Sequence, residues 1–234
     1  MQLSGADTGA LSTRPAITVA GQPLPWVRDF VYLGVPFHES EDLDTLMAEE
    51  RLLKARRAQA ALRHRCARLG ITNPAMQANF FDIIVRSTMS YGVELWGPGY
   101  LATTAAKQGT DGAEVLHREF LRRLLGVRKN AHNLITYSEF GRLPLRCFFS
   151  RMAYQFYKRV VGVAALGHKG ILTAAVNDNL KLAATQSAAG VVVQQQAWAG
   201  KAAAFLDGLG IEVDLEGAPA APEVAPLTIE ATLQ

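Results

Sequence analysis

Apolar residues along the chain switch period twice. Near the start, Ile17-Thr18-Val19 and Phe30-Val31-Tyr32-Leu33 are β-prone runs separated by Gly21, Pro23 and Pro25, which predicts two short strands joined by a long turn. From Leu43 the period becomes helical. Leu43, Leu46, Met47, Leu52, Ala55, Ala58, Leu62, Cys66 and Leu69 follow the three-four spacing of one helix face. Ser40 is the expected cap, acids fill the first turn, and Gly70 ends the helix. Asn73-Pro74 opens a second helix, with Met76, Phe80, Ile83 and Ile84 as its inner face, running into the turn-rich Gly97-Pro98-Gly99. Further helices are expected at about 111–125, with Leu116, Phe120, Leu121 and Leu124 inward, and at 133–140, stopping at Gly141. The next begins at Pro144 and carries Leu145, Phe149, Met152, Phe156 and Val160.

The pattern weakens after residue 166. The segment 166–234 holds 16 Ala and only Trp198 and Phe205 as aromatics, with a Pro/Ala stretch at 217–222. Such a composition favours helix but offers little area to bury, so a loosely attached Ala-rich helical or disordered tail is expected. The fold class is therefore mainly α. A short N-terminal β-hairpin (15–37) follows a loose N-terminus (1–14) and precedes a bundle of five or six helices (38–165), with the tail behind it.

Charge changes the picture more than composition does. The net charge of +3 hides a balance of −6 over residues 1–50, +14 over 51–170 and −5 over 171–234. A basic middle of this kind points to a polyanion, most simply nucleic acid, with acidic lipid as the weaker option. The densest stretch runs from Arg51 to Arg68 and contains Arg51, Lys54, Arg56, Arg57, Arg63, Arg65 and Arg68 without one acid. On a helix Lys54, Arg57, Arg65 and Arg68 fall near one stripe, separated from Leu52, Ala55, Ala58 and Leu62. A second cluster comprises Arg118, Arg122, Arg123, Arg128 and Lys129. The plainer reading of both is a solvated helix exterior.

Little in the sequence points to catalysis. Glu94 and Glu139 sit among aromatics, and such residues more often cap a helix or pair with Arg than transfer protons. A hydrolase using them with His117 lacks any visible nucleophile–base pair. The glycines at 162 and 167 outline a phosphate loop without its Gly-Lys-Ser/Thr. The five His never reach ligand spacing with each other or with Cys66 and Cys147, and no Asp-Asp pair exists for two-metal chemistry. Catalytic residues, bound metal and cofactor are thus all expected to be none.

Four landmarks in order carry a resemblance over about residues 15–160. Gly21-Gln-Pro-Leu24 leads to Phe30-Val-Tyr32-Leu33-Gly34-Val35 and then to the basic helix. Met89-Ser-Tyr91-Gly92-Val-Glu94-Leu-Trp96-Gly97 follows, then His117 to Val127, then Glu139-Phe-Gly141-Arg142-Leu-Pro144-Leu145. Together they resemble the region just after the catalytic palm in reverse transcriptases of LINE-like (non-LTR) retrotransposons, which are RNA-directed DNA polymerases. The resemblance implies that Tyr32, Leu33 and Gly34 stand where the palm ends, near the element that holds the primer strand. It also implies that the helices beyond form a thumb domain against the template–primer duplex. The palm, with its Tyr/Phe-Ala-Asp-Asp box, is not in this chain.

The expected function is that of a truncated reverse-transcriptase-like chain of transposable-element origin, inactive as a polymerase alone. It would bind the backbone of an RNA/DNA duplex or heteroduplex without sequence preference. Its possible partners also include the missing palm region of a longer polymerase frame. The alternative is a structural or protein-interaction helical domain without ligand. No apolar h-region or membrane span is visible, so the location expected is intracellular, nuclear or cytoplasmic, and no membrane partner is expected.

Overall fold

The computed structural model describes residues 18–39, 42–104, 111–165 and 170–211. The expected loose N-terminus and the Pro/Ala stretch lie outside these residues. Within them the chain is mainly α, with short β-hairpins at its start.

Two hairpins replace the single one expected. Strand β1 (Thr18–Val19) pairs with β2 (Gln22–Pro23), and β3 (Asp29–Tyr32) pairs with β4 (Val35–His38), both antiparallel. Each turns through two residues at positive φ, Ala20-Gly21 at 51° and 79° and Leu33-Gly34 at 50° and 76°. Two-residue turns of this hand match the natural twist of their flanking strands, so each pairs its own neighbours rather than spanning to the other. Leu33 holds a conformation that bulky side chains avoid. Its carbonyl accepts from the Tyr91 hydroxyl at 2.6 Å, and the Gly34 carbonyl accepts from the Arg51 guanidinium. The turn is clasped from outside.

Helix α1 (Leu43–Arg68) is capped by Asp42, whose carboxylate accepts from the Thr45 amide at 3.3 Å; Ser40 lies outside the described residues. Its buried seam is Asp44, Met47, Arg51, Ala55, Leu62 and Cys66. Helix α2 starts as Pro74–Phe80, widens into a π-helical stretch over Phe81–Arg86 and finishes as Ser87–Met89. Here the expected face holds only at Phe80, which is half-buried and packs against the core. Ala78, Phe81, Val85 and Met89 point inward, while Met76, Ile83 and Ile84 are exposed. Apolar residues flank the Asn79, Asp82 and Arg86 stripe on both sides, and the wider turn rotates the later positions, so three-four spacing alone does not choose the face.

Helix α3 (Val93–Thr104) runs through the centre of the fold, against α1 and against two helices described below. Gly97-Pro98-Gly99, expected to be a turn, is its buried middle. A Cβ on Gly99 would overlap the Asp44 carboxylate, and one on Gly97 would stand 2.9 Å from Val93 Cγ2. Gly99→Ala is accordingly expected to destabilise the fold by about 1–3 kcal/mol, despite alanine's better helix propensity. Chemical unfolding of the two proteins checks this, and equal stability would refute the tight approach.

The remaining elements are α4 (Gly112–Leu125), α5 (Asn133–Ser138), α6 (Leu145–Ala165), α7 (Ile171–Ala188) and α8 (Trp198–Asp207). Asp111 caps α4 by accepting from the Glu114 amide at 3.0 Å, and Gly126 closes it at φ 66°.

The last two helices are no loose tail. Phe205 and Leu206 join the central core with Met47, Trp96 and Phe149. Pro98 has no amide hydrogen, so the Glu94 carbonyl lacks its helical donor. The Trp198 indole supplies one at 3.0 Å. Lys201, buried, donates to Asp42 at 2.7 Å and Asp44 at 2.5 Å. Burial alone would push the Lys201 ammonium toward its neutral form; the hydrogen bonds to Asp42 and Asp44 outweigh it, and the pKa lies above the ordinary value. Side chains of α7 cap α8, Asn179 and Gln186 accepting from the Ala199 and Ala197 amides. Small alanines are what let α8 lie close, a packing role that composition conceals.

Candidate nucleic-acid interface

The basic run of α1 divides according to its place on the helix. Arg51 lies four residues before Ala55, on the buried seam. It is buried itself, reaches the Gly34 carbonyl and stacks 4.5 Å from the centre of the Tyr91 ring. Its charge is turned inward, to hold the β3–β4 turn. Lys54 is half-exposed and pairs with Glu50 at 2.6 Å. Arg56, Arg57, Arg63, Arg65 and Arg68 are all exposed, and among the described residues none of the five forms an ion pair.

These five occupy both sides of the helix. At 100° per residue Arg57, Arg65 and Arg68, together with Lys54, lie about 80–160° to one side of Ala55. Arg56 and Arg63 lie about 80–100° to the other. Between Leu53 and Leu69 only Ala55, Leu62 and Cys66 are buried. The second half of α1 therefore presents most of its circumference to solvent, with small Ala60, Ala61 and Ala67 between the guanidinium groups. Arg65 and Arg68 also lie in the last turn, where the helix dipole favours positive charge.

The second cluster is less uniform. Arg118 is buried on α4 beside the hydroxyl of Tyr137 and the carboxylate of Glu114. Arg122 donates to the Ala131 carbonyl at 2.6 Å and to the Asn133 side chain at 2.7 Å, closing the turn before α5. Arg123, Arg128 and Lys129 are exposed. The outward charge of this cluster is thus concentrated where α4 ends.

Tyr32, Leu33 and Gly34 form the end of β3 and its turn. Tyr32 and Leu33 are exposed, and Gly34 is half-buried under Arg51. Of the candidate acids, Glu139 is exposed and Glu94 half-exposed. The carboxylate that matters structurally is Glu114, missed in the sequence. It accepts from the Tyr137 hydroxyl at 2.5 Å and the Arg146 amide at 2.7 Å, tying α4 to α5 and α6. Burial pushes its pKa above the ordinary carboxylate value, with Tyr137 and the Arg146 amide pulling the other way. An acid between Ala113 and Leu116 in an otherwise inward face was the available signal.

His117 is sealed beneath Phe81 and Tyr137, 2% exposed, with neither ring nitrogen hydrogen-bonded among the described residues. Burial first, then the positive charges of Arg86 and Arg118, push its pKa down to about 3. A neutral, enclosed imidazole of this kind is not placed to transfer protons to a substrate. Among the described residues no group of three His, Cys, Asp or Glu could hold a metal ion, and no helix is long and apolar enough to cross a membrane. No protein-family model matches the chain, and no curated protein or solved structure matches it either.

Proposed function

We propose that this chain holds nucleic-acid duplexes by their phosphate backbone, through the exposed flanks of α1. The observation that carries the reading is the set of five outward arginines, Arg56, Arg57, Arg63, Arg65 and Arg68, without an ion pair among the described residues, on a helix bare around most of its circumference. Like charges at helical spacing cost stability unless a counter-charge neutralises them. A polyphosphate does so, and each neutralised phosphate releases condensed counterions. The exposed basic flanks carry no Asn, and Gln59 is half-buried beside the seam, which suits backbone tracking better than base reading. The order of landmarks, which resembles that of LINE-like retrotransposon reverse transcriptases, supports a duplex, including an RNA/DNA heteroduplex, as the ligand. In this reading the helices act as a thumb that holds the duplex while the chemistry belongs to a palm elsewhere. Arg123, Arg128 and Lys129 extend the basic surface at the end of α4.

Binding is expected to be indifferent to sequence and to weaken by about 0.9 log units per log unit of salt for each phosphate neutralised. Replacing Arg57 and Arg65 together by Gln should lower affinity for all duplexes alike and flatten that slope by about 2. Both side chains are exposed, so the fold should persist. A salt titration of the two proteins on two unrelated duplexes tests this. Identical curves, or no binding at low salt, would leave α1 a solvated exterior and the chain an interaction domain without this ligand.

A further inference from the structure

Among the described residues, the β3–β4 hairpin carries the longest run of consecutive exposed large apolar side chains. Phe30, Val31, Tyr32 and Leu33 are 56%, 64%, 59% and 72% exposed, on both faces of the strand. The register identifies which edge is open. Phe30 pairs with Phe37 and Tyr32 with Val35, while the Glu39 amide donates to the Arg28 carbonyl at 3.1 Å. Hydrogen bonding alternates along an antiparallel pair, so the main-chain groups of Asp29 and Val31 point away from β4. Among the described residues neither has a backbone partner on that side. The outer edge of β4 is different, because Pro36 has no amide hydrogen there and β4 lies against α1. An unprotected apolar edge strand is a template for another strand.

We infer that the occupant is a second copy of this chain, paired antiparallel along β3 about a two-fold axis at Val31. In that register Val31 of the two copies exchange their free hydrogen bonds. Phe30 of each copy stands opposite Tyr32 of the other, at the closely spaced non-hydrogen-bonded positions where aromatic pairs contribute most. Within one copy the Phe30 and Tyr32 rings are already near-parallel, 15° apart in plane and 6.5 Å between centres, so the dimer joins four rings into one row. Charge permits the encounter: residues 18–39 carry Arg28 against Asp29 and Glu39, whereas α1 would repel its own copy. At the paired edge itself Phe30, Val31, Tyr32 and Leu33 offer roughly 400–600 Å² per copy, taking about 150–250 Å² for a fully exposed aromatic side chain and less for Val and Leu. An interface of that size makes a weak, reversible pair, so dimerisation falls in a micromolar-to-millimolar concentration range. The Arg51 and Tyr91 clasp fixes the hairpin on the body beforehand, which lowers the ordering cost.

Sedimentation of nuclease-treated protein over 5–200 μM in about 0.5 M salt tests this apart from phosphate binding, which that salt suppresses. A monomer–dimer equilibrium is expected for the wild type. Val31→Pro removes only the outward amide hydrogen, and Val31→Lys sets two like charges face to face at the axis. Each should weaken dimerisation at least tenfold while far-UV circular dichroism and thermal unfolding of the monomer stay unchanged. A wild type that is monomeric at 200 μM, or a dimer unaffected by Val31→Lys, overturns the inference. If Val31→Pro disturbs the hairpin, the exposed Val31→Lys decides alone.

Discussion

A chain ending after residue 169 is expected to unfold at least about 10 °C below the full chain, or not to fold at all. The loss is greater than the area of α7 and α8 suggests. Phe205 and Leu206 leave the core, each a side chain whose burial contributes about 1.5–3 kcal/mol. Removing Trp198 leaves the Glu94 carbonyl without a donor, and removing Lys201 leaves Asp44 buried beside Gly99 without its counter-charge. An unsatisfied buried polar group costs about 1–3 kcal/mol, and an orphaned buried charge about 3–5. For a chain of this size each kcal/mol shifts the midpoint by about 2–4 °C. Thermal melts of the two chains by circular dichroism give the answer, and a change under about 4 °C would show that α7 and α8 contribute little. Lys201→Met separates the electrostatic part. It keeps the apolar stem, and should by itself lower stability by about 3 kcal/mol.

The second large effect concerns acid. His117 is neutral in the fold, its pKa pushed down to about 3 from an ordinary value of 6.5. The unfolded chain binds a proton on this residue that the folded chain refuses. Its contribution is fully present above pH 6.5 and is lost as pH falls from 6.5 toward 3. With about 1.4 kcal/mol per pH unit, about 2 kcal/mol disappears between pH 6.5 and pH 5. Burial raises the pKa of Asp44 and Glu114, which acts in the opposite direction but equally in any His117 variant. His117→Phe preserves a ring against Phe81 and removes two unbonded nitrogens. Denaturant unfolding at several pH values from 7.5 to 4.5 should show the wild type losing stability faster than the variant, by about one proton's slope. Parallel curves would mean that His117 takes up its proton within the fold.

The seam of α1 was legible because Leu43, Met47, Ala55, Leu62 and Cys66 keep helical spacing without interruption. That spacing also places Arg51, four residues before Ala55, on the same face and apart from the outward arginines. The two hairpins were equally readable from Ala20-Gly21 and Leu33-Gly34, once each was taken as a turn between its own neighbours. Other features depend on distant partners. Gly97-Pro98-Gly99 signals a turn by every local rule and becomes helix because α1, α6 and α8 close around it. The inward Glu114 requires Tyr137 and the Arg146 amide, 23 and 32 residues away. The exposed arginines show the converse: their outward direction follows from spacing, while what they touch is a matter for the salt titration.

The proline in α3 also imposes an order of events. The carbonyl that Pro98 leaves open is filled by an indole 104 positions later in the chain. As the protein leaves the ribosome, α1 to α6 emerge first, with α3 carrying an unfilled acceptor and Gly99 bordering an uncompensated carboxylate. At about 5–20 residues per second, the stretch from Pro98 to Trp198 takes about 5–20 s to synthesise. For that interval the nascent bundle is held below its final stability. Trp198 and Lys201 then arrive within one helical turn of each other and complete the helix and the ion pair together.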